Sequence, residues 1–299
     1  MNENQHILRM LPRALRVHQW PKNLFVFAAV IFAQQLGITS QVLRSLGAFA
    51  AFCAASSAVY LFNDIIDLER DRAHPEKRNR PLASGALSVR AAIGMLSALA
   101  AGALVAAGML GAGFVCVILF YFALTVFYTL LLRNLVIVDV LVVAMCFVVR
   151  ALGGAVALHV TFSNWLVVCT LFLALFLGLS KRRHEIGLLR EDRAAHRTVL
   201  VQYSIAYLDH LIVIVAAATI ITYTIYTCSP DVVQRLGTDK LYLTLPFVLY
   251  GLFRYFLLVH FQDGGGDPAL TLAKDWPLVL TVVLYGATCV GIIYGHKLI

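Results

Sequence analysis

The sequence predicts an all-α, polytopic membrane protein with nine transmembrane helices around a central cavity. Three observations carry this expectation. The 299-residue chain is 61% apolar and only 13% charged, where soluble domains run at about 45–50% apolar and about 25% charged. Its mean hydropathy of +0.83 says that the solvent is lipid. Its charges are confined to short clusters, separated by apolar stretches of the roughly 20 residues that one bilayer crossing needs. Nine crossings use nearly all of the length, so residues 1–299 form a single transmembrane domain. A water-soluble enzyme is excluded, and so is a disordered chain, which needs the opposite composition.

The elements follow in order. A basic leader with Arg9, Arg13, Arg16 and Lys22 precedes the first span, 24–43, which ends without a small-residue cleavage site and reads as a retained helix. The second span, 45–66, leads into a charged loop, 67–90. The 42 residues 91–132 carry no charge and must form two helices, broken near Gly108, Gly111 and Gly113. Spans at 135–158, 162–180, 204–228, 241–261 and 277–294 complete the nine, with a second charged loop at 181–203.

Charge fixes the orientation. With the N-terminus inside, 18 of the 24 lysines and arginines lie on the cytoplasmic side, while Arg44, Arg235, Lys240 and Lys297 lie on the other and Arg150 and Arg254 fall within spans. Basic residues gather on cytoplasmic flanks, so both charged loops face the cytoplasm of an inner (cytoplasmic) membrane, and an odd number of spans puts the C-terminus outside. The net charge of +8 thus marks a membrane surface and not a nucleic-acid partner. The six cysteines sit in apolar runs without a CxxC pair and read as packing residues. Whether the chain is a homo-oligomer is not written in the sequence.

The chemistry concentrates at the inner end of the second span. Asn63, Asp67 and Asp71 are spaced i, i+4, i+8, and Asp64, Asp67 and Asp71 are spaced i, i+3, i+7, so all four share one broad helical face. Three carboxylates within two turns repel one another near lipid, and hard oxygen ligands are what Mg²⁺ accepts. Solvated carboxylates paired with Arg70 and Arg72 are the plainer alternative, but acids at a helix C-terminus oppose its dipole. The following segment, DRAHPEKRNRPLASG, sets Lys77, Arg78 and Arg80 between two prolines. Arginine forks match phosphate oxygens and proline stiffens the loop; a patch for anionic lipid is the competing reading. Acids for Mg²⁺ beside cations for phosphate specify a diphosphate site.

The run Asn63-Asp64-x-x-Asp67-x-x-x-Asp71 resembles the first signature of the UbiA superfamily of intramembrane prenyltransferases. HQWPKN at 18–23, NDIIDLERDRAHPEKRNRPLASG at 63–85, SKRRHE at 180–185 and GDPALTLAKDWP at 266–277 are similar to the superfamily branch that acts as decaprenyl-phosphate phosphoribosyltransferase. The resemblance implies a UbiA-like bundle that transfers 5-phosphoribose from phosphoribosyl diphosphate to a polyprenyl (decaprenyl) phosphate, a product that feeds a lipid-linked arabinose donor for cell-wall polysaccharide. It also implies Mg²⁺ on Asn63, Asp64, Asp67 and Asp71, with Asp64, Asp67, Lys181 and Glu185 in the catalytic centre. Prenyl-diphosphate users of the superfamily carry a second DxxxD signature after the sixth helix. Here that place reads Lys181, Arg182, Arg183, His184, Glu185, with Glu191 and Asp192 beyond it. A cationic cluster in place of an acidic one suits additional phosphate charge, although it also satisfies the positive-inside rule.

Single residues add to the site. Arg150, inside the fifth span, is costly at membrane depth unless it faces a polar cavity or a partner. Asp139, about 16 Å away along the same helix face, cannot pair with it directly, but the two can line one polar seam. Tyr128 and Arg133 lie at the inner end of the fourth span and face the same mouth. Lys22 and Asn23 read from composition as an interfacial anchor, and from the resemblance Lys22 becomes a phosphate contact. Two other readings stay open: prenyl transfer to an aromatic or quinone precursor, and a lipid-carrier transporter, although transporters place their ionisable groups near the midplane.

Overall fold

The computed structural model describes residues 10–75, 77–161, 163–188, 202–261 and 268–295, and every regular element among them is helical. A 3₁₀ stretch, Val17–Phe27, runs into α1, Ala28–Phe32. Then come α2, Thr39–Ile66, and the short α3, Leu68–Ala73. Next are α4, Val89–Leu110, α5, Ala112–Leu130, and α6, Val138–Leu158. The second half contains α7, Asn164–Leu188, α8, Ile205–Cys228, and the short α9, Pro230–Leu236. It ends with α10, Leu245–Phe261, the short α11, Pro268–Lys274, and α12, Trp276–Gly295. Eight of these helices, counting the 3₁₀ turn Lys240–Thr244 with α10, are long and apolar enough to cross a membrane. The protein is therefore a multi-pass membrane protein.

The first crossing departs from the expected helix over 24–43. Its 3₁₀ and α1 portions are 11 and 5 residues long; at rises of about 2.0 and about 1.5 Å per residue they reach about 30 Å, the thickness of a bilayer core. Pro21 lies inside the 3₁₀ stretch and has no N–H to give an α-helical ladder. The chain turns over 33–38, so residues 39–43 belong to α2. The charge-free stretch 91–132 does divide into two helices, and the break is at Gly111, whose φ of 121° a side chain would resist. One boundary moves in the opposite sense: α7 continues eight residues past 180. Lys181 to Glu185 therefore stand on a helix and not in a loop.

Two helices form the centre of the bundle. Of their most apolar windows, α2 buries 61% and α6 buries 72%, against 17% for α4. Val105, Met109, Phe120, Ile214 and Phe253 accordingly present apolar surface to lipid. One apolar cluster joins the first crossing to α2, α5 and α6 through Val26, Phe52, Phe114, Ile118 and Leu158. Another joins α7, α8, α10 and α12 through Phe176, Leu208, Ile212, Tyr255 and Leu278. At the end of the bundle away from Asp64, Arg44 donates at 2.7 Å to both Leu110 O and Ala157 O. It thereby satisfies carbonyls left over at the C-termini of α4 and α6.

The approach of the first crossing to α6 depends on Gly154. A Cβ there would lie 2.1 Å from the carbonyl oxygen of Val26, and one on Gly153 would lie 2.7 Å from the Phe52 ring. Backbone cannot yield as a flexible side chain does, so Gly154→Ala is expected to cost at least the upper end of the roughly 1–3 kcal/mol typical of overpacking. A heat-challenged, detergent-solubilised sample followed by size exclusion should show the variant losing its monodisperse peak several degrees below wild type. An unchanged profile would mean that the first crossing can shift freely.

A candidate metal and phosphate site

The acidic run is positioned by the end of α2. Asp64 lies in its last turn, Asp67 links α2 to α3, and Asp71 lies in α3. The expected common face is divided in two. Asp64, 5% exposed, accepts hydrogen bonds on one oxygen from Arg16 and, at 3.2 Å, from Arg80 Nη1. The same Arg80 nitrogen donates to Asp71 Oδ2 at 2.5 Å. On the other side, Asp67 Oδ2 accepts from Arg133 Nη1 at 2.7 Å, and Asn63 Oδ1 accepts from the Thr129 hydroxyl at 2.6 Å. Among the described residues no three acid, histidine or cysteine side chains converge as metal ligands. The four-oxygen set expected around a single point is thus split, because the turn at Asp67 and its pairing with Arg133 draw Asp67 away while Arg80 keeps Asp64 and Asp71 together.

Asp64 and Asp71 nevertheless suit a divalent cation. Their oxygens both reach one guanidinium nitrogen of Arg80, and that nitrogen stands in for the positive charge that hard carboxylate oxygens would otherwise hold. Arg16 braces the pair from the leader, with its guanidinium 4.7 Å above the Tyr60 ring.

A second network lies at the same end of the bundle. Arg182 Nε donates to Asp139 Oδ2 at 2.7 Å, Nη1 to Glu185 Oε2 at 2.5 Å, and Nη2 to the Tyr128 hydroxyl at 3.4 Å. Lys181 lies 3.9 Å from Glu185. The end of α5 joins the two networks, since Thr129 and nearby Arg133 face the acidic run while Tyr128 faces Arg182. Tyr203 donates to Asp139 Oδ1 at 3.0 Å. Burial, with Asp139 beside it, pushes the Tyr203 phenol up to about 12, so it remains a hydroxyl donor at neutral pH.

Several expected contacts fall elsewhere. Arg150, 5% exposed, spends its nitrogens on Asn23 Oδ1 at 2.7 Å, Cys146 O at 2.7 Å and the Tyr121 hydroxyl at 2.8 Å. The rings of Tyr121 and Phe147 flank it. It therefore ties the first crossing to α5 and α6 inside the bundle. Asp139 pairs instead with Arg182 and Tyr203, so Asp139 and Arg150 belong to separate hydrogen-bond networks. Asp139 is wholly buried and Arg182 is 5% exposed, which turns both inward as partners of each other. Lys22 donates to Gln19 in its own 3₁₀ stretch. Lys77 and Arg78 lie in a 3₁₀ turn, Arg78 exposed, while Arg80 folds back onto the acids. Glu191 and Asp192 lie outside the described residues.

Sequence reasoning missed Arg16, Thr129 and Tyr203 as members of the site. Arg16 stood only as one of the leader's cations, and its partner Asp64 is 48 positions away. Two further carboxylates, Asp209 and Asp275, gather partners at the ends of the C-terminal helices. Asp209 receives Arg183 at 2.5 Å and His260 at 3.1 Å. Arg254 pairs with Asp275, which also accepts from Leu278 N and so caps α12. That guanidinium holds the Asp275 carboxyl below the usual range.

Comparison with known proteins places this arrangement. Residues 23–276 match the UbiA prenyltransferase family. The chain is 32% identical to the decaprenyl-phosphate phosphoribosyltransferase of Mycolicibacterium smegmatis, over 97% of this chain and 94% of that protein. It is 34% identical to the decaprenyl-phosphate phosphoribosyltransferase of Corynebacterium glutamicum, over 90% of this chain and 82% of that one. Its fold is similar to that of a UbiA homolog from Archaeoglobus fulgidus bound to DMAPP and Mg²⁺, with a TM-score of 0.73 at 17% identity over 95% of this chain and 99% of that chain. The family match over most of the length and the two relatives at 32% and 34% identity agree with the fold: the chain belongs to the UbiA prenyltransferase family.

Proposed function

We propose that this transferase moves the 5-phosphoribosyl group of phosphoribosyl diphosphate onto a polyprenyl phosphate, with Mg²⁺ as cofactor. The observation that carries the reading is Lys181, whose side chain is 38% exposed near the end of α7, together with Lys77, Arg78 and Arg80 beside the acidic run. Arg182 and Arg183, by contrast, are taken up by Asp139, Glu185 and Asp209. A substrate with a diphosphate and a 5-phosphate, meeting a lipid phosphate, needs more cations than a prenyl diphosphate meeting a neutral aromatic. The names borne by the M. smegmatis and C. glutamicum relatives support the same choice.

In this reading a phosphate oxygen of the lipid attacks the anomeric carbon of the ribosyl group, the bond from that carbon to the diphosphate breaks, and diphosphate leaves. The nucleophile is already ionised near neutral pH, so positioning and charge neutralisation do most of the work. Mg²⁺, when bound, supplies neutralisation of the departing diphosphate. Asp64 and Asp71 would hold it, with Asn63 and Asp67 completing the oxygen set. Arg80, placed between the two carboxylates, would then be released toward phosphate beside Lys77 and Arg78. Lys22 and Arg133 add positive charge at the same mouth, and Glu185 keeps Lys181 directed into it. The site faces the cytoplasm of an inner membrane, where the sugar donor is soluble, and the lipid tail leaves between helices.

The test supplies purified protein with labelled phosphoribosyl diphosphate, polyprenyl phosphate and Mg²⁺. Label should move into the lipid phase, stop on chelation with EDTA and resume with excess Mg²⁺. Label that stays in water, alongside prenyl transfer from a prenyl diphosphate to 4-hydroxybenzoate, would assign ordinary prenyl transfer instead. Lys181→Ala is expected to raise the KM for phosphoribosyl diphosphate about 10-fold, the scale of one charge-assisted contact. An unchanged KM would remove Lys181 from the donor site.

A further inference from the structure

We infer that Tyr203 is a positioning residue for this reaction, acting through Asp139 on Arg182; the inference rests on the phosphoribosyl reading above. Ile137 precedes α6 with φ 70° and ψ −47°, a conformation that a β-branched residue adopts only where its surroundings impose it. Its N–H donates to the Tyr203 hydroxyl at 2.6 Å. Because an amide N–H can only donate, the hydroxyl must accept there, and its own proton goes to Asp139 Oδ1 at 3.0 Å. The other carboxylate oxygen accepts from Arg182 Nε at 2.7 Å. One hydroxyl therefore fixes both the strained entry to α6 and the plane of the Asp139 carboxylate.

That plane sets Arg182. A guanidinium held at Nε by one carboxylate oxygen has its two outer nitrogens aimed in fixed directions, here toward Glu185 and Tyr128. Glu185 in turn lies 3.9 Å from Lys181, whose side chain is 38% exposed. Asp139 is wholly buried, so its influence passes through Arg182. The Tyr203 ring is anchored without its hydroxyl, in the apolar cluster with Phe176, Leu208 and Ile212. Tyr203→Phe thus removes the hydroxyl and keeps the packing.

The experiment uses the full chain in nanodiscs, with Tyr207→Phe as control because that exposed ring only stacks on Tyr203. Tyr203→Phe should raise the KM for phosphoribosyl diphosphate roughly 10-fold, the size of one lost hydrogen bond to a charged group, and leave the KM for the lipid within about twofold. In an Asp139→Asn background Tyr203→Phe should add little further, since its effect passes through that carboxylate. Phenylglyoxal labelling, read by mass spectrometry, should speed up several-fold at Arg182 and stay unchanged at Arg183. Wild-type KM together with wild-type labelling would overturn the inference. Faster labelling of both arginines, with both substrates weakened, would also overturn it by indicating general loosening. If wild type transfers no phosphoribose, the preceding reading fails by itself, and the Arg182 labelling rate alone decides whether Tyr203 positions that side chain.

Discussion

Asp64→Asn should lower turnover about 10³-fold while leaving the protein folded. The expectation follows from where Asp64 sits. Its carboxylate is nearly buried and meets two guanidinium groups, those of Arg16 and Arg80, with Asp71 held to the same Arg80 nitrogen. Neutralising it removes the charge that would fix a divalent cation opposite a departing diphosphate. Electrostatic groups in such positions are worth about 10²–10³ in rate, and a factor of 10³ is about 4 kcal/mol of barrier. Folding should tolerate the change, because the side chains of Arg16 and Arg80 are 18% and 31% exposed and can rehydrate. The measurement is kcat against Mg²⁺ concentration, with size exclusion as the folding check. A variant that keeps wild-type turnover at low Mg²⁺ would refute the metal assignment. Asp67→Asn should show a smaller loss, since its partner Arg133 belongs to the other branch of the split cluster.

The sequence exposed the parts of this site whose spacing is local. Asn63 to Asp71 announce themselves through helical periodicity, and the cationic loop after them through composition. The eight long apolar helices were equally legible, because lipid leaves charge-free stretches that nothing else explains. What stayed hidden depends on contacts distant in sequence. Nothing near Arg16 says that it reaches Asp64, and nothing near Tyr203 says that it reaches Asp139, 64 positions earlier. The direction of a side chain was also unreadable: Arg150 and Arg182 are cations of the kind that clamp phosphate, yet packing turns both inward. The first crossing misled for a backbone reason. Its apolar run is continuous, but Pro21 and the approach of Gly154 to Val26 favour a stretched 3₁₀ path.

Arg182→Met should be among the most destabilising single substitutions at the site. The pair it breaks is buried on both sides, with side chains 6% and 0% exposed, so the substitution leaves the Asp139 carboxylate without its cation. Removing one partner of a buried pair costs about 3–5 kcal/mol. Two features of Asp139 hold the expected loss toward about 3 kcal/mol. It lies in the first turn of α6, where the helix dipole favours negative charge, and Tyr203 still donates to it. Restoring neutrality with Asp139→Asn in the same chain should therefore recover much of the lost melting temperature, because the unpaired charge and not the lost arginine is the main cost. Activity should not return, since Glu185 and Tyr128 have lost the guanidinium that holds them. A contrary outcome is informative in a specific way: if Arg182→Met melts like wild type and only the KM for phosphoribosyl diphosphate rises, the arginine leaves its buried pair readily and clamps phosphate as its composition first suggested.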